Sequence, residues 1–186
     1  MNTRPCVHAM IVAAGRGSRF GAYIAKQYIT LQGQTLLQHS VARLASSVYI
    51  NECLLVIAAE DRVAQALDFA LPIRYAFGGA ERWQSVQAGV EAIIKAGADD
   101  SDLVLIHDAA RPAVPIHDIE QVIEAAMLEP YGAILAAPVA DTLKQSQPVV
   151  QSISTITNGS KDYIAHTVER DGMWQAQTPQ VYRLAQ

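Results

Sequence analysis

Arg16 and Arg19 lie in a stretch of small residues, AMIVAAGRGSRFG (Ala9 to Gly21), into which an apolar run empties, and Lys26 follows shortly after it. Small residues let a backbone approach a ligand, and free amide N–H groups can then face anionic oxygens. Three cations in the same place are what a nucleoside triphosphate requires. The chain carries 14 basic against 18 acidic residues and a net charge of −4, so this local positive run is no by-product of composition. The stretch is therefore expected to be a phosphate-binding loop. Gly15 and Gly17 begin a dinucleotide fingerprint, G-x-G-x-x-G, but its third glycine position is Phe20. A Walker A loop fails as well, because no Gly-Lys-Ser/Thr occurs. A glycine pair alone could be an ordinary strand-to-helix turn; Arg19 and Lys26 count against that, having no role in a core.

Asp108 directly follows the apolar run Leu103 to Ile106. A carboxylate at a strand end can hold Mg²⁺ against phosphate oxygens, and a helix cap or an ion pair with Arg111 are its plainer alternatives. The planar guanidinium of Arg111, three residues on, suits a second phosphate. His107 and His166 have no evident partner in sequence and read as structural. Trp83 and Trp174 read as packing residues. Cys6 and Cys53 each start an apolar run and read as small buried hydrophobes in a reducing compartment, not as a disulfide or a metal pair.

Hydrophobic spacing supplies the elements that must position these groups. Val7 to Ala13 predicts a buried strand. Thr35 to Ser47 predicts a helix with Leu36, Leu37, Val41 and Leu44 on one face. Strands are expected at Cys53 to Ala59, Ile73 to Phe77, Leu103 to Ile106 and Gly132 to Val139. Helices are expected at Glu60 to Phe69, Glu81 to Ala96 (Trp83, Val86, Val90, Ile93 and Ile94 inward) and Asp118 to Leu128. Alternating strands and helices specify an α/β fold with a doubly wound, mostly parallel sheet. Ligands of such sheets bind outside the carboxyl ends of the strands. The glycine-rich loop, Gly78–Gly79 and HDAARP (His107 to Pro112) all fall at such ends and should converge.

After Val139 the alternation stops. QSQPVVQSISTITNGSKD (Gln145 to Asp162) is polar and β-prone, and Asn158–Gly159 is a strong hairpin turn signal. A hairpin without an apolar face is marginal alone, so it is expected to protrude and pair with another copy of the chain; a surface loop is the alternative.

With 186 residues, 51% of them hydrophobic, the chain suffices for one core and is short for two ordinary domains, so a single domain over 1–186 is expected. No basic stripe suggests nucleic acid as a partner. No run approaches membrane-spanning length, and no signal core opens the chain. A cytoplasmic protein is the expectation.

VAAGRGSRFG with AKQY, GGAERWQSV, HDAARP, APVADTLK and IAHTVERDGMWQAQTPQ occur in order over nearly the whole chain. Together they resemble the 2-C-methyl-D-erythritol 4-phosphate cytidylyltransferase family of the non-mevalonate isoprenoid pathway. The resemblance implies a Rossmann-like nucleotidyltransferase fold, CMP transfer from CTP to methylerythritol phosphate with release of pyrophosphate, a Mg²⁺ cofactor, and a homodimer formed through a protruding β-arm at about residues 140–170. Carried over by position, Ala13, Ala14, Gly15, Arg16, Gly17 and Ser18 would wrap CTP. Arg19 and Lys26 would stabilise charge building on the α-phosphate. Gly79, Ala80 and Ser85 would face cytosine and ribose. Selection there would rest largely on backbone groups, which suits Ala80, where the family frequently has an acidic residue. Asp108 would bind the metal. Arg111, Thr142 and Arg170 would hold the acceptor, Thr142 and Arg170 reaching into the partner's site; Arg170 would also act in catalysis.

The sequence ends at Arg183-Leu184-Ala185-Gln186, where a helix is expected to begin. The family's further segment, with acidic residues and a lysine, is not among these residues. The nearest rival, a cytidylyltransferase for another polyol phosphate such as ribitol 5-phosphate, shares the nucleotide half of the site; a sugar-phosphate nucleotidyltransferase, against which HDAARP and the TVERDG segment argue, and a non-catalytic CTP-binding module are the others. A dehydrogenase fits least, given Phe20 and no suitably spaced acidic residue after the second strand.

Overall fold

A computed structural model of the protein describes residues 5–15, 24–147 and 163–184. Arg16, Gly17, Ser18 and Arg19, the Phe20 position, and the Asn158–Gly159 turn lie outside them. The described strands are β1 (Val7–Val12), β2 (Thr30–Leu31), β3 (Gln34–Thr35), β4 (Cys53–Ile57), β5 (Ile73–Phe77), β6 (Leu103–Asp108), β7 (Gly132–Pro138), β8 (Leu143–Gln147), β9 (Tyr163–Val168) and β10 (Trp174–Arg183). The helices are α1 (Leu36–Ala45), α2 (Arg62–Gln65), α3 (Arg82–Lys95) and α4 (Ile116–Leu128).

The main sheet runs β5-β4-β1-β6-β10-β7. β1 pairs in parallel with β4 and β6, β4 pairs in parallel with β5, and β10 runs antiparallel to β6. The chain first steps from β1 outward to β4 and β5, then crosses back to β6 on the other side of β1. That reversal makes the space beyond the carboxyl ends of β1 and β6 the crevice where ligands of such sheets bind.

Apolar residues cover both faces. Ala9, Ile11, Leu55, Ile57, Leu103 and Leu105 point into one core with Leu37, Val41 and Leu44 of α1 and Ile119, Val122 and Ile123 of α4. Met10, Leu54, Val56, Val104 and Ile106 point into a second with Ile93 of α3. Burial on both faces is why the strands are continuous apolar runs rather than alternating ones. Thr35 caps α1 reciprocally: its Oγ1 accepts from the Gln38 N–H at 3.2 Å, and Gln38 Oε1 accepts from the Thr35 N–H at 2.9 Å. Such a cap is worth about 1 kcal/mol.

Five expectations change. Helix α3 buries Ser85, Gly89 and Ile93, with Val86 and Val90 packed beside Ile93 as expected, but Trp83 and Ile94 of the expected stripe are 64% and 51% exposed. Gly89 sits against Met10 and Val56 of the sheet, and a Cβ there would come within 2.5 Å of Met10 Sδ. The small residue lets the helix lie close to the sheet. Trp174 is exposed too. Cys6 is exposed, because it precedes β1 and only its backbone is held, by Asp102; Cys53 is buried, and both are free. Residues up to Arg183 continue a strand instead of starting a helix. Finally, α2 spans only Arg62–Gln65, with Asp61 capping it through the N–H groups of Val63 and Ala64.

The chain separates into two compact units, residues 1–135 with 177–186 and residues 136–176. Within the second, β8 and β9 pair antiparallel from Leu143 opposite Val168 to Gln147 opposite Tyr163, with an irregularity between Gln145 and Ser146. Nearly all of their side chains are exposed. No helix among the described residues is long and apolar enough to cross a membrane.

Candidate active site

Register alone aligns the carboxyl ends of the central strands. Val12 lies opposite both Val56 and Asp108, and Ile57 lies opposite Phe77. The chain leaves β1 with the Ala13 N–H bonded to the Val56 carbonyl at 2.8 Å, and leaves β5 with the Gly78 N–H bonded to the Ile57 carbonyl at 2.8 Å. The two exits touch. A Cβ on Gly78 would lie 2.7 Å from Ala14 Cβ and 2.4 Å from Ser85 Oγ, so only glycine lets these three segments meet. Ala13 is buried, Ala14 half-buried and Gly15 exposed, which puts the start of the loop at the surface of the crevice.

Gly79, Ala80 and Ser85 lie on the same side of β1. Gly79 and Ala80 precede α3, whose Ser85 is buried in its first turns with Oγ 3.5 Å from the Gly79 carbonyl. Ala80 is exposed. The structure thus brings Ala13, Ala14 and Gly15 together with Gly79 and Ser85.

Asp108 ends β6 beside Val12, with its carboxylate partly exposed. Two guanidiniums hold it: Arg111 Nε at 3.0 Å from one oxygen and an Arg82 nitrogen at 3.2 Å from the other. Arg111 also donates to Gln177 Oε1 at 2.6 Å. Three charged side chains from α3, β6 and the loop after it thereby share the mouth of the crevice. Sequence reading anticipated Asp108 and Arg111 and missed Arg82. A cation in the first turn of a helix opposes the helix dipole, and that mismatch was the available signal.

His107 is fully buried one residue before Asp108. Its Nε2 is 3.0 Å from the Arg111 carbonyl, which can only accept, so Nε2 carries the proton. Nδ1 therefore accepts from the Thr178 hydroxyl at 3.0 Å, and Thr178 Oγ1 accepts in turn from the Asp108 N–H at 3.4 Å. Burial, helped by the nearby positive charge of Arg111, holds the imidazole pKa below its ordinary value and outweighs the opposing pull of Asp108 and the Arg111 carbonyl. A neutral His107 thus orients the backbone on both sides of Asp108, in keeping with a structural role. Ser40 Oγ fixes the same loop from α1 by donating to the Ala109 carbonyl at 3.0 Å.

Lys26 is exposed and opens a short 3-10 turn, Lys26–Tyr28. Its neighbour Gln27 is buried, and the Gln27 amide donates to the Ala13 carbonyl at 2.9 Å and the Gly15 carbonyl at 3.2 Å. Tyr28 donates its hydroxyl to the Asp61 carboxylate. Burial, and then Asp61, push that phenol's pKa up. Lys26 is thus sequentially adjacent to a side chain that grips the chain as it leaves β1.

Thr142 and Arg170 belong to the second unit, and both are exposed there. Arg170 borders a cavity of about 250 Å³ with Val139, Met173 and Trp174. Its wall is shaped by a turn in which the Met173 N–H bonds to the Arg170 carbonyl at 2.9 Å and the Val139 N–H to the Met173 carbonyl at 3.1 Å. Of the anticipated site residues, then, Ala13, Ala14, Gly15, Lys26, Gly79, Ala80, Ser85, Asp108 and Arg111 lie around the strand ends of the first unit. His166 lies exposed on β9.

Comparison with known proteins agrees with this fold. The family model for 2-C-methyl-D-erythritol 4-phosphate cytidylyltransferase matches residues 7–186. The chain is similar to the protein of that name from Psychrobacter arcticus, with 66% identity covering 99% of this chain and 73% of the relative. For that of Psychrobacter cryohalolentis the identity is 65%, covering 100% and 75%. Among solved structures, a 4-diphosphocytidyl-2C-methyl-D-erythritol synthase superposes with a TM-score of 0.79 at 31% identity, covering 98% of this chain and 76% of that one. The Francisella tularensis 2-C-methyl-D-erythritol 4-phosphate cytidylyltransferase superposes with a TM-score of 0.74 at 29% identity, covering 97% and 73%.

Proposed function

The chain belongs to the 2-C-methyl-D-erythritol 4-phosphate cytidylyltransferase family, and from that membership we propose that it transfers CMP from CTP to 2-C-methyl-D-erythritol 4-phosphate. The products are 4-diphosphocytidyl-2-C-methyl-D-erythritol and pyrophosphate. The observation that carries this reading is the meeting of Gly78, Ala14 and Ser85 beside the Val12–Asp108 pair, which makes one crevice from three distant stretches.

The acceptor phosphate is already an anion and needs no general base. One of its oxygens bonds to the α-phosphorus as the bond to the pyrophosphate oxygen breaks. The barrier is the approach of one anion to a polyanion. Lys26 and Arg19 lower it by neutralising charge at the α-phosphate, and backbone N–H groups of the Ala13 to Ser18 loop hold the triphosphate in line. Arg111, Thr142 and Arg170 hold the acceptor, and Gly79, Ala80 and Ser85 face the base and ribose.

Asp108 offers one partly exposed carboxylate, and no group of three or more acidic, histidine or cysteine side chains clusters among the described residues. That donor set fits Mg²⁺, which is commonly held by one or two carboxylates together with substrate phosphates and water. Bound there, the ion would offset phosphate charge. Asp108 would have to trade at least part of its pairing with Arg82 and Arg111 to hold it.

The same reading includes a homodimer. The strand pair of β8 and β9 exposes Tyr163 and Ile164, which supports docking on a second copy. The two free cysteines suit a cytoplasmic location.

Pyrophosphate release with CTP and Mg²⁺ tests the reading. Turnover is expected with methylerythritol phosphate and far less with ribitol 5-phosphate. The reverse preference reassigns the acceptor. CTP binding by calorimetry without turnover on either points to a binding module.

A further inference from the structure

We infer that Gln27 is a positioning residue of the nucleotide site, setting the orientation of the phosphate loop and the place of Lys26; this rests on reading the site as one for CTP. Gln27 is only 6% exposed. Its side-chain nitrogen carries two hydrogens, and two loop carbonyls lie within reach, Ala13 at 2.9 Å and Gly15 at 3.2 Å. Each carbonyl is drawn toward the protein. In a trans peptide the N–H points opposite the C=O, so drawing in the Ala13 carbonyl turns the Ala14 N–H the other way. A loop that offered carbonyl oxygens would repel a triphosphate. One that offers N–H groups attracts it. Gln27 therefore helps set which polarity the start of the loop, Ala13 to Gly15, presents.

The turn that carries Gln27 is itself anchored on other sides. Tyr28 donates to Asp61, whose second oxygen caps α2 at 3.0 Å from Val63 N and 3.1 Å from Ala64 N. The Leu36 N–H, at the start of α1, bonds to the Ile29 carbonyl at 2.9 Å. The turn is thus fixed to two helices, and Gln27 is its side-chain link to the phosphate loop. Lys26 precedes it by one residue, so the same link fixes the backbone from which the Lys26 side chain reaches out.

The test is CTP binding by calorimetry, with Mg²⁺, on the whole chain and on Gln27→Met, which keeps length and volume and removes both donors. The variant is expected to weaken CTP binding by about tenfold or more while its nucleotide-free melting temperature stays within about 5 °C. Because Gln27 acts through the loop and Lys26, the double variant Lys26→Ala/Gln27→Met should bind CTP less weakly than the two separate losses combined would give. Unchanged affinity in Gln27→Met, or full additivity, overturns the inference. Should Gln27→Met fail to fold, the side-chain amide protons of Gln27 in the unaltered chain are followed by NMR. Slow solvent exchange and a shift on adding CTP support the link, and free exchange or no shift overturns it. Failure of the unaltered chain to bind CTP overturns the functional reading and this inference together, whereas binding that ignores Gln27 overturns the inference alone.

Discussion

His107 Nδ1 accepts a hydrogen bond from Thr178 Oγ1 at 3.0 Å, joining the end of β6 to the antiparallel strand β10 inside the protein. With the Arg111 carbonyl on the other ring nitrogen, the neutral imidazole carries its proton on Nε2. The arrangement has a pH signature. A histidine whose folded pKa lies below its unfolded value of 6.5 binds a proton more readily once unfolded. Its contribution is intact above pH 6.5 and is lost as pH falls from there toward the folded pKa. Denaturant unfolding at pH 7.5 and 5.5 should show lower stability at the acid value. His107→Gln should lower stability by about 1–3 kcal/mol at pH 7.5 and lessen the acid-dependent loss. An undiminished loss would place the effect on another histidine.

Lys26→Ala or Arg19→Ala should lower turnover by about 10²–10³-fold, the usual effect of removing one group aimed at transition-state charge. Circular dichroism and melting temperature should change little. Near-normal turnover in either variant removes that residue from the chemistry.

Gly132 opens β7 at φ 121°, and a Cβ there would stand 2.1 Å from the Val181 carbonyl oxygen and 2.7 Å from Tyr182 Cα. Backbone cannot swing aside as a side-chain tip can. Gly132→Ala should therefore cost about 3 kcal/mol or more, from strain and overpacking together. Gly97→Ala, also at positive φ (96°) but in open space, should cost less. Equal losses in a denaturant titration would contradict the packing argument.

Burial pushes the Cys53 thiol up to about 12. A thiol-reactive chromophore should modify Cys6 in the native protein and reach Cys53 only on unfolding. Rapid labelling of two thiols under native conditions would contradict the placement of Cys53.

The parallel half of the sheet was legible because its strands are buried on both faces: CLLVI and LVLI admit few other readings. β10 was not legible. WQAQTPQVYR has little apolar content, and a proline argues against an inner strand. Yet Pro179 falls just before Gln180, where the reported register with β6 begins, so it interrupts none of those pairs. On α3, Val86, Val90 and Ile93 were legible as the inner face, but Trp83 and Ile94 were misread because hydrophobic spacing weights large side chains, whereas close approach to Met10 and Val56 puts Gly89 on that face. At the site, Asp108 and Arg111 stood out as charges at a strand end. Gln27 and Thr178 did not, because a neutral hydrogen-bonding side chain reveals its partners only once distant segments meet.

The position of β10 also orders the assembly of the molecule as it is made. β7 emerges during synthesis before the strand it lies beside, and the outer edge of β6 stays uncovered until residues near 180–183 arrive. A nascent chain paused after β7 carries an open strand edge able to pair with a neighbouring chain. Among the described strands β10 is the last to emerge, and by pairing with β6 it covers an edge on which neighbouring chains could aggregate.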